Sequence, residues 1–154
     1  MNESDRQFLQ RIADYQFGRG VGTTLFPAGE DLTVTRTSSG RPRQVRAEEG
    51  RLATYGTDGR FTLGTSGGKR LQSVASETPY RVVVGDESEP FVREGRNVFA
   101  KFVDVADETI RPRDEVVVEH EDGRLLAVGR AELSGAGMLD FETGMAVYVR
   151  DSVE

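Results

Sequence analysis

One histidine, His120, and no cysteine stand in the 154 residues. Disulfides, thiolate metal sites and cysteine nucleophiles are therefore excluded, and zinc lacks its usual ligands. His120 falls at the end of an expected strand beside a turn, and without a partner imidazole it reads as an exposed side chain rather than a general base. Asp104, Asp107 and Glu108 have the types for paired acid/base work. Nothing near them supplies a nucleophile, a metal or an apolar pocket to set two pKa values apart, so they read as loop acids. Gly18-Arg19-Gly20-Val21-Gly22 resembles a phosphate loop in letters but follows a helix and lacks the Gly-Lys-Ser/Thr ending; it reads as a flexible connection. Gly64-Thr65-Ser66-Gly67 has the spacing of a nucleic-acid clamp, yet a strand precedes it where a helix is needed.

Two patterns remain that suit polyanion chemistry. Arg36, Arg41, Arg43, Arg46 and Arg51 form a basic face on one hairpin or a solvated strand face. Gly95-Arg96-Asn97 places a residue free to take φ > 0 beside a cation and an amide; read alone, it is a helix stop entering a strand. Phe91, Phe99, Phe102, Met138 and Phe141 could stack bases, but their alternation and spacing assign them to a small core.

The elements that must position these residues follow from periodicity. Ser4 and Gln7 make a capping box for a helix over 5–17, with Phe8, Ile12 and Tyr15 at helical spacing and Gly18 as the stop. From Leu32 the period becomes two. Leu32 and Val34, Val45, Leu52 and Ala53, and Phe61 and Leu63 lie in short segments divided by Ser39-Gly40, Glu49-Gly50 and Asp58-Gly59, an antiparallel meander. A Ser-capped helix over 66–74 leads to Glu77-Thr78-Pro79, the expected boundary between a domain at 1–78 and one at 79–154.

The second half reads as strand 80–85, a short helix 91–94 primed by Asp86 to Pro90, then strands 98–103, 115–120 and 125–133. A helix over 134–141, with Met138, Leu139 and Phe141 inward, and a last strand 145–150 complete it. Many short strands with two small helices indicate a partly closed barrel, and the fold class is α+β. Its core is expected to hold Val98, Phe102, Val116, Val118, Leu126, Val128 and Val147.

Composition bounds the function. The chain is 36% hydrophobic and 30% charged, enough for packed cores. Apolar runs such as Val82–Val84 and Val116–Val118 fall far short of the roughly 20 residues of a membrane helix, and the expectation is a cytoplasmic, unprocessed chain without membrane contact. Net charge is −6, divided unevenly: residues 1–78 hold 11 Lys and Arg against 9 Asp and Glu, and residues 79–154 hold 9 against 17. Only Lys69 and Lys101 are lysines. This acidic, arginine-weighted balance resembles proteins of salt-loving archaea, in whose cytoplasm long-range fields are screened and short-range arginine contacts carry recognition.

The segments Pro90 to Val103, Ile110-Arg111-Pro112-Arg113-Asp114-Glu115-Val116, Leu125 to Ala131 and Gly144-Met145-Ala146-Val147 resemble the PUA domain, above all that of archaeosine tRNA-guanine transglycosylase. Ile12 to Gly18 and Leu25-Phe26-Pro27 resemble the small α/β domain that precedes it there. The resemblance implies a stand-alone archaeal protein with an N-terminal α/β domain and a PUA β-barrel, corresponding to the tail of that enzyme without its catalytic barrel. It implies RNA binding, with tRNA near its acceptor end as the first candidate, by Gly95, Arg96, Asn97, Val98 and Lys101 together with Ala146, Val147 and Arg150. Under that resemblance the Gly95 loop is an RNA contact rather than a bare helix stop. No catalytic residue, metal or cofactor is expected, and the role is that of a non-catalytic accessory, in company with a tRNA-modifying enzyme of the archaeosine pathway. The alternative is a protein-interaction subunit of an RNA-processing or translation complex that does not itself bind RNA, which the acidic second half favours.

Overall fold

The computed structural model describes residues 1–74 and 78–154, which fall into two compact units, Met1–Pro79 and Tyr80–Glu154. Glu77 of the expected boundary lies outside the described residues.

In the first unit, α1 (Glu3–Phe17) buries Leu9, Ala13 and Phe17 at helical spacing, and Gly18 ends it with φ 120°. Its cap is Asn2, whose Oδ1 accepts the Asp5 N–H at 2.8 Å, and not Ser4. Asn2 stands two residues before Ser4 and satisfies the orphan Asp5 N–H, so the helix begins two residues earlier than expected. The stretch expected to be a flexible connection instead leads into α2 (Val21–Leu25). Gly22 explains why: a Cβ there would lie 2.2 Å from the Gln10 carbonyl oxygen, and its N–H donates to Asp14 Oδ1 at 2.6 Å. The glycine serves close packing of α2 on α1.

The meander forms as expected: β1 (Thr33–Arg36), β2 (Pro42–Ala47), β3 (Gly50–Tyr55) and β4 (Phe61–Leu63) pair antiparallel in chain order. Gln16 fastens α1 to this sheet by exchanging two hydrogen bonds with the Phe61 backbone. Helix α3 (Thr65–Gln72) starts after Gly64 without a side-chain cap.

The second unit is a six-stranded sheet in the order β6-β10-β9-β8-β5-β7, built from β5 (Arg81–Val84), β6 (Val98–Phe99), β7 (Val103–Ala106), β8 (Glu115–His120), β9 (Leu125–Ala131) and β10 (Met145–Ser152). The two edge strands of that order, β6 and β7, are separated by a single 3-10 turn, Ala100–Phe102. The sheet therefore has to curl until its edges nearly meet, giving the barrel. The single strand expected over 98–103 is thus two strands broken by this turn, which is what transfers the chain from one edge to the other. Strands β5 and β8 run parallel, Val84 opposite His120, while the other pairings are antiparallel.

Val82, Val84, Val98, Val116, Val118, Leu126, Met138 and Val147 fill the barrel. Of the other expected core residues, Val128 is fully buried and Phe102 only half-buried. Short helices α4 (Glu89–Arg93) and α5 (Gly135–Asp140) contribute Val92 and Met138 to this interior. Leu139 and Phe141, expected inward, are exposed: Leu139 lies off the one face that a six-residue helix turns to the barrel, and Phe141 follows the helix in extended conformation.

Candidate nucleic-acid interface

Helix α4 ends at a turn that exposes backbone. The Gly95 N–H returns to the Val92 carbonyl at 2.9 Å, the Arg96 N–H to Phe91 at 3.0 Å, and Gly95 takes φ 91°. A non-glycine residue there carries the left-handed steric cost. Asn97 then bridges two strands: its Oδ1 accepts the Val149 N–H of β10 at 2.9 Å, just past the point where Val147 pairs with Val98. Its Nδ2 has no partner among the described residues.

Beside this loop lies a groove of about 280 Å³ lined by Ser88, Phe91, Arg96, Asn97, Phe99 and Phe102. Phe91 is 52% exposed and Phe99 47%. Assignment of these two and of Phe141 to the core is therefore corrected; only Met138 of that set is fully buried. Apolar spacing marks which residues alternate, not which side of a small barrel is covered. Phe99 and Phe102 also wall a second cleft, of about 410 Å³, with Lys101, Glu142, Thr143 and Gly144.

Cations sit at both margins. The Arg96 guanidinium is 5.7 Å from the Phe91 ring centroid, and its one ion pair among the described residues is an exposed 3.6 Å contact with Glu94. Such a pair holds a side chain weakly. Lys101 Nζ is 5.0 Å from the Phe102 centroid and makes no ion pair among the described residues. The other expected positions are of a different kind. Val98, Ala146 and Val147 are buried and form the wall behind the loop, and the Ala146 carbonyl accepts the Glu132 N–H. Arg150 forks onto the buried carboxylate of Glu115, which offsets its charge.

The five arginines of the hairpin differ in their surroundings, and Arg46 stands opposite Arg51 in the β2–β3 pairing. Arg36 pairs with Asp5, Arg41 lies 4.3 Å from the Tyr55 ring centroid, and Arg51 reaches the Thr54 hydroxyl at 2.9 Å. Arg43 and Arg46 remain exposed.

Two titratable groups, Asp107 and His120, differ from expectation in their surroundings. Asp107 is anchored rather than loose: burial raises its pKa, but donation from the Thr109 and Tyr80 N–H groups and the Thr109 hydroxyl outweighs this and holds it below the usual value. His120, expected on the surface, is only 6% exposed; parallel pairing of β5 with β8 sets Val84 opposite it and brings Asp86 to its Nε2 at 2.6 Å. Asp86, His120 and Glu121 set three potential ligand atoms within 4.8 Å of one another, but Asp86 and Asp122 already partner both ring nitrogens.

Comparison with known proteins accounts for both units. Residues 80–153 match the model of the PUA domain, and residues 7–77 that of the patch-forming domain C2 of tRNA-guanine transglycosylase. The chain is a C2 domain followed by a PUA domain. It is 47% identical over 148 residues to tRNA-guanine(15) transglycosylase of Pyrococcus furiosus, covering 96% of this chain and 25% of that enzyme. The counterpart in Methanothermobacter thermautotrophicus is 39% identical, with 95% and 22% covered. The chain thus spans about a quarter of the curated relatives it matches. Among solved structures, a hypothetical protein of Pyrococcus horikoshii superimposes with TM-score 0.73 at 23% identity, covering 99% of this chain and 92% of that one. A PUA-domain protein of Aeropyrum pernix gives 0.70 at 15%, with 99% and 83% covered. These two likenesses concern the fold. The Gly95 loop and the phenylalanine groove both belong to the PUA domain. The aromatic part of the groove had a signal in the sequence: three phenylalanines flank Gly95-Arg96-Asn97 within 12 residues.

Proposed function

We propose that the PUA domain binds RNA through an unpaired segment laid in the groove between α4 and the 3-10 turn. The observation that carries this reading is the exposure of Phe91 and Phe99 beside Arg96, Asn97 and Lys101. Phenylalanine faces left to water are suited to stacking bases, and cations at the margins to neutralising phosphates. Gly95 lets the RNA backbone approach, and the Asn97 amide offers a donor to a base or sugar edge. Val98, Ala146 and Val147 hold the wall of the site, and Arg150 flanks it while remaining tied to Glu115.

The ligand we favour is tRNA near its acceptor end, where bases are unpaired. The relatives' name, tRNA-guanine(15) transglycosylase, supports a place in tRNA modification. We take the chain's part to be non-catalytic: it presents or retains tRNA for a modifying enzyme of the archaeosine pathway in the cytoplasm, without a cofactor. Filter binding with intact tRNA and with tRNA lacking its 3′ end tests this at the high salt suited to an acidic protein. Tighter binding of intact tRNA is expected. Equal affinity defeats acceptor-end recognition, and no retention of either RNA favours the protein-interaction alternative.

A further inference from the structure

His120 is a buried titratable group that the proposed RNA contacts do not use. Its Nε2 lies 2.6 Å from Asp86 Oδ1 and 3.8 Å from Glu89 Oε1, and its Nδ1 is 3.1 Å from Asp122 Oδ1. Asp86 lies in the turn entering α4, and Glu89 is the helix's first residue. Arg124 grips Glu89 from the β8–β9 turn and also pairs with Asp122 at 2.7 Å. Glu121 sits beside the same cluster, and a cleft next to it adds Asp104, Glu119 and Arg81. Six carboxylates therefore lie around His120, and the other cations there are Arg124, Arg81 and Arg93, the last 4.0 Å from Glu89 Oε2. The same five-residue helix carries Phe91 at its middle and delivers Gly95-Arg96-Asn97 to the groove past its C-terminal end.

We propose that His120 is a positioning residue for the RNA groove: its imidazolium fastens the start of α4, so that RNA affinity falls as pH rises through the imidazole's titration. The proposal rests on the RNA-binding reading of the groove. A neutral His120 keeps its bond to Asp86 and accepts the Asp122 N–H at 3.1 Å, but it withdraws a positive charge from among the carboxylates. Their repulsion then loosens the first turn of α4 against the barrel, and the groove is less often assembled. Donation to Asp86, followed by the nearby charges of Asp122 and Glu89, raises the pKa of His120 above its ordinary value of 6.5 against the effect of burial. Protonation stabilises this arrangement below the unfolded-state pKa, and that contribution disappears as pH rises through the folded-state value.

Because His120 is the sole histidine and cysteine is absent, the neutral pH range reads this group, apart from the chain's amino terminus. RNA affinity of the intact chain would be measured from about pH 6 to about pH 8.5, beside His120→Gln, which hydrogen-bonds without charging. The parent should weaken about fivefold over that range, and the variant should hold the parent's high-pH affinity throughout. Reciprocally, bound RNA should raise the NMR titration midpoint of His120 by the logarithm of the same factor. Binding that shows neither pH dependence nor a moved midpoint overturns the proposal while leaving RNA binding intact. If no RNA binds at any pH, the functional reading fails, and amide protection across 88–95 decides the clamp. A fall in protection as His120 deprotonates supports the clamp, and constant protection removes it.

Discussion

Replacing Phe99 with alanine separates stacking from folding, because this one ring walls both clefts yet leaves 47% of its surface in water. A fully buried phenylalanine contributes about 3 kcal/mol to stability, so truncating this half-covered one should cost about 1.5 kcal/mol, which a folded domain can absorb. Stacking of one base on an aromatic ring is worth about 1–3 kcal/mol, which corresponds to about 5- to 150-fold in Kd. The slope of log affinity against log salt should not change, since no phosphate contact is removed. Phe99→Tyr keeps a π face and should retain most of the affinity, whereas Phe99→Leu keeps bulk without one and should not. Fluorescence anisotropy with labelled tRNA over a salt series measures both quantities, and urea unfolding measures the stability. If folded Phe99→Ala binds tRNA within about twofold of the parent, the stacking argument fails.

Arg96→Ala and Lys101→Ala should each flatten the salt slope by about 0.7 to 0.9 and leave urea stability nearly unchanged, their side chains being exposed. An undiminished slope in the double variant removes these two contacts from the site. Asn97→Ala should lower affinity without altering the slope, and should also destabilise the fold by about 1–3 kcal/mol because the Val149 N–H loses its acceptor. Arg150→Ala should destabilise the PUA domain more, by about 3 kcal/mol, since it strips a partner from the buried Glu115; urea unfolding checks it. The Arg124 N–H and guanidinium lower the Asp122 pKa to about 2, so the stability it contributes is present above its ordinary value of 3.8 and is lost as pH falls toward about 2. Asp122→Asn should flatten the melting temperature against pH in that acid range, and a profile identical to the parent's contradicts the assignment.

Much of the backbone was legible because its determinants are local. Period-two segments divided by Ser39-Gly40, Glu49-Gly50 and Asp58-Gly59 became the meander, and Gly18 became the helix stop that its type suggests. What escaped depends on distant partners. His120 meets Asp86, 34 residues away, through a parallel pairing that periodicity does not announce. Gly22 packs on Gln10, so a glycine that reads as freedom in the sequence acts as close contact in the fold. Val98 to Val103 alternates like one strand, yet barrel closure requires the turn at Ala100–Phe102. At the candidate site, the Gly95 turn was readable from its residue types, whereas the exposure of Phe91 and Phe99 followed only from which side of the barrel is left open.

Ultraviolet crosslinking of the intact protein to tRNA, with the adducts mapped residue by residue, tests the central claim most directly. The account expects adducts at Phe91, Phe99 and Phe102, lost when an unlabelled single-stranded 3′-terminal oligonucleotide competes for the groove. Saturating tRNA that leaves these three rings unmodified while crosslinking elsewhere on the chain would contradict it.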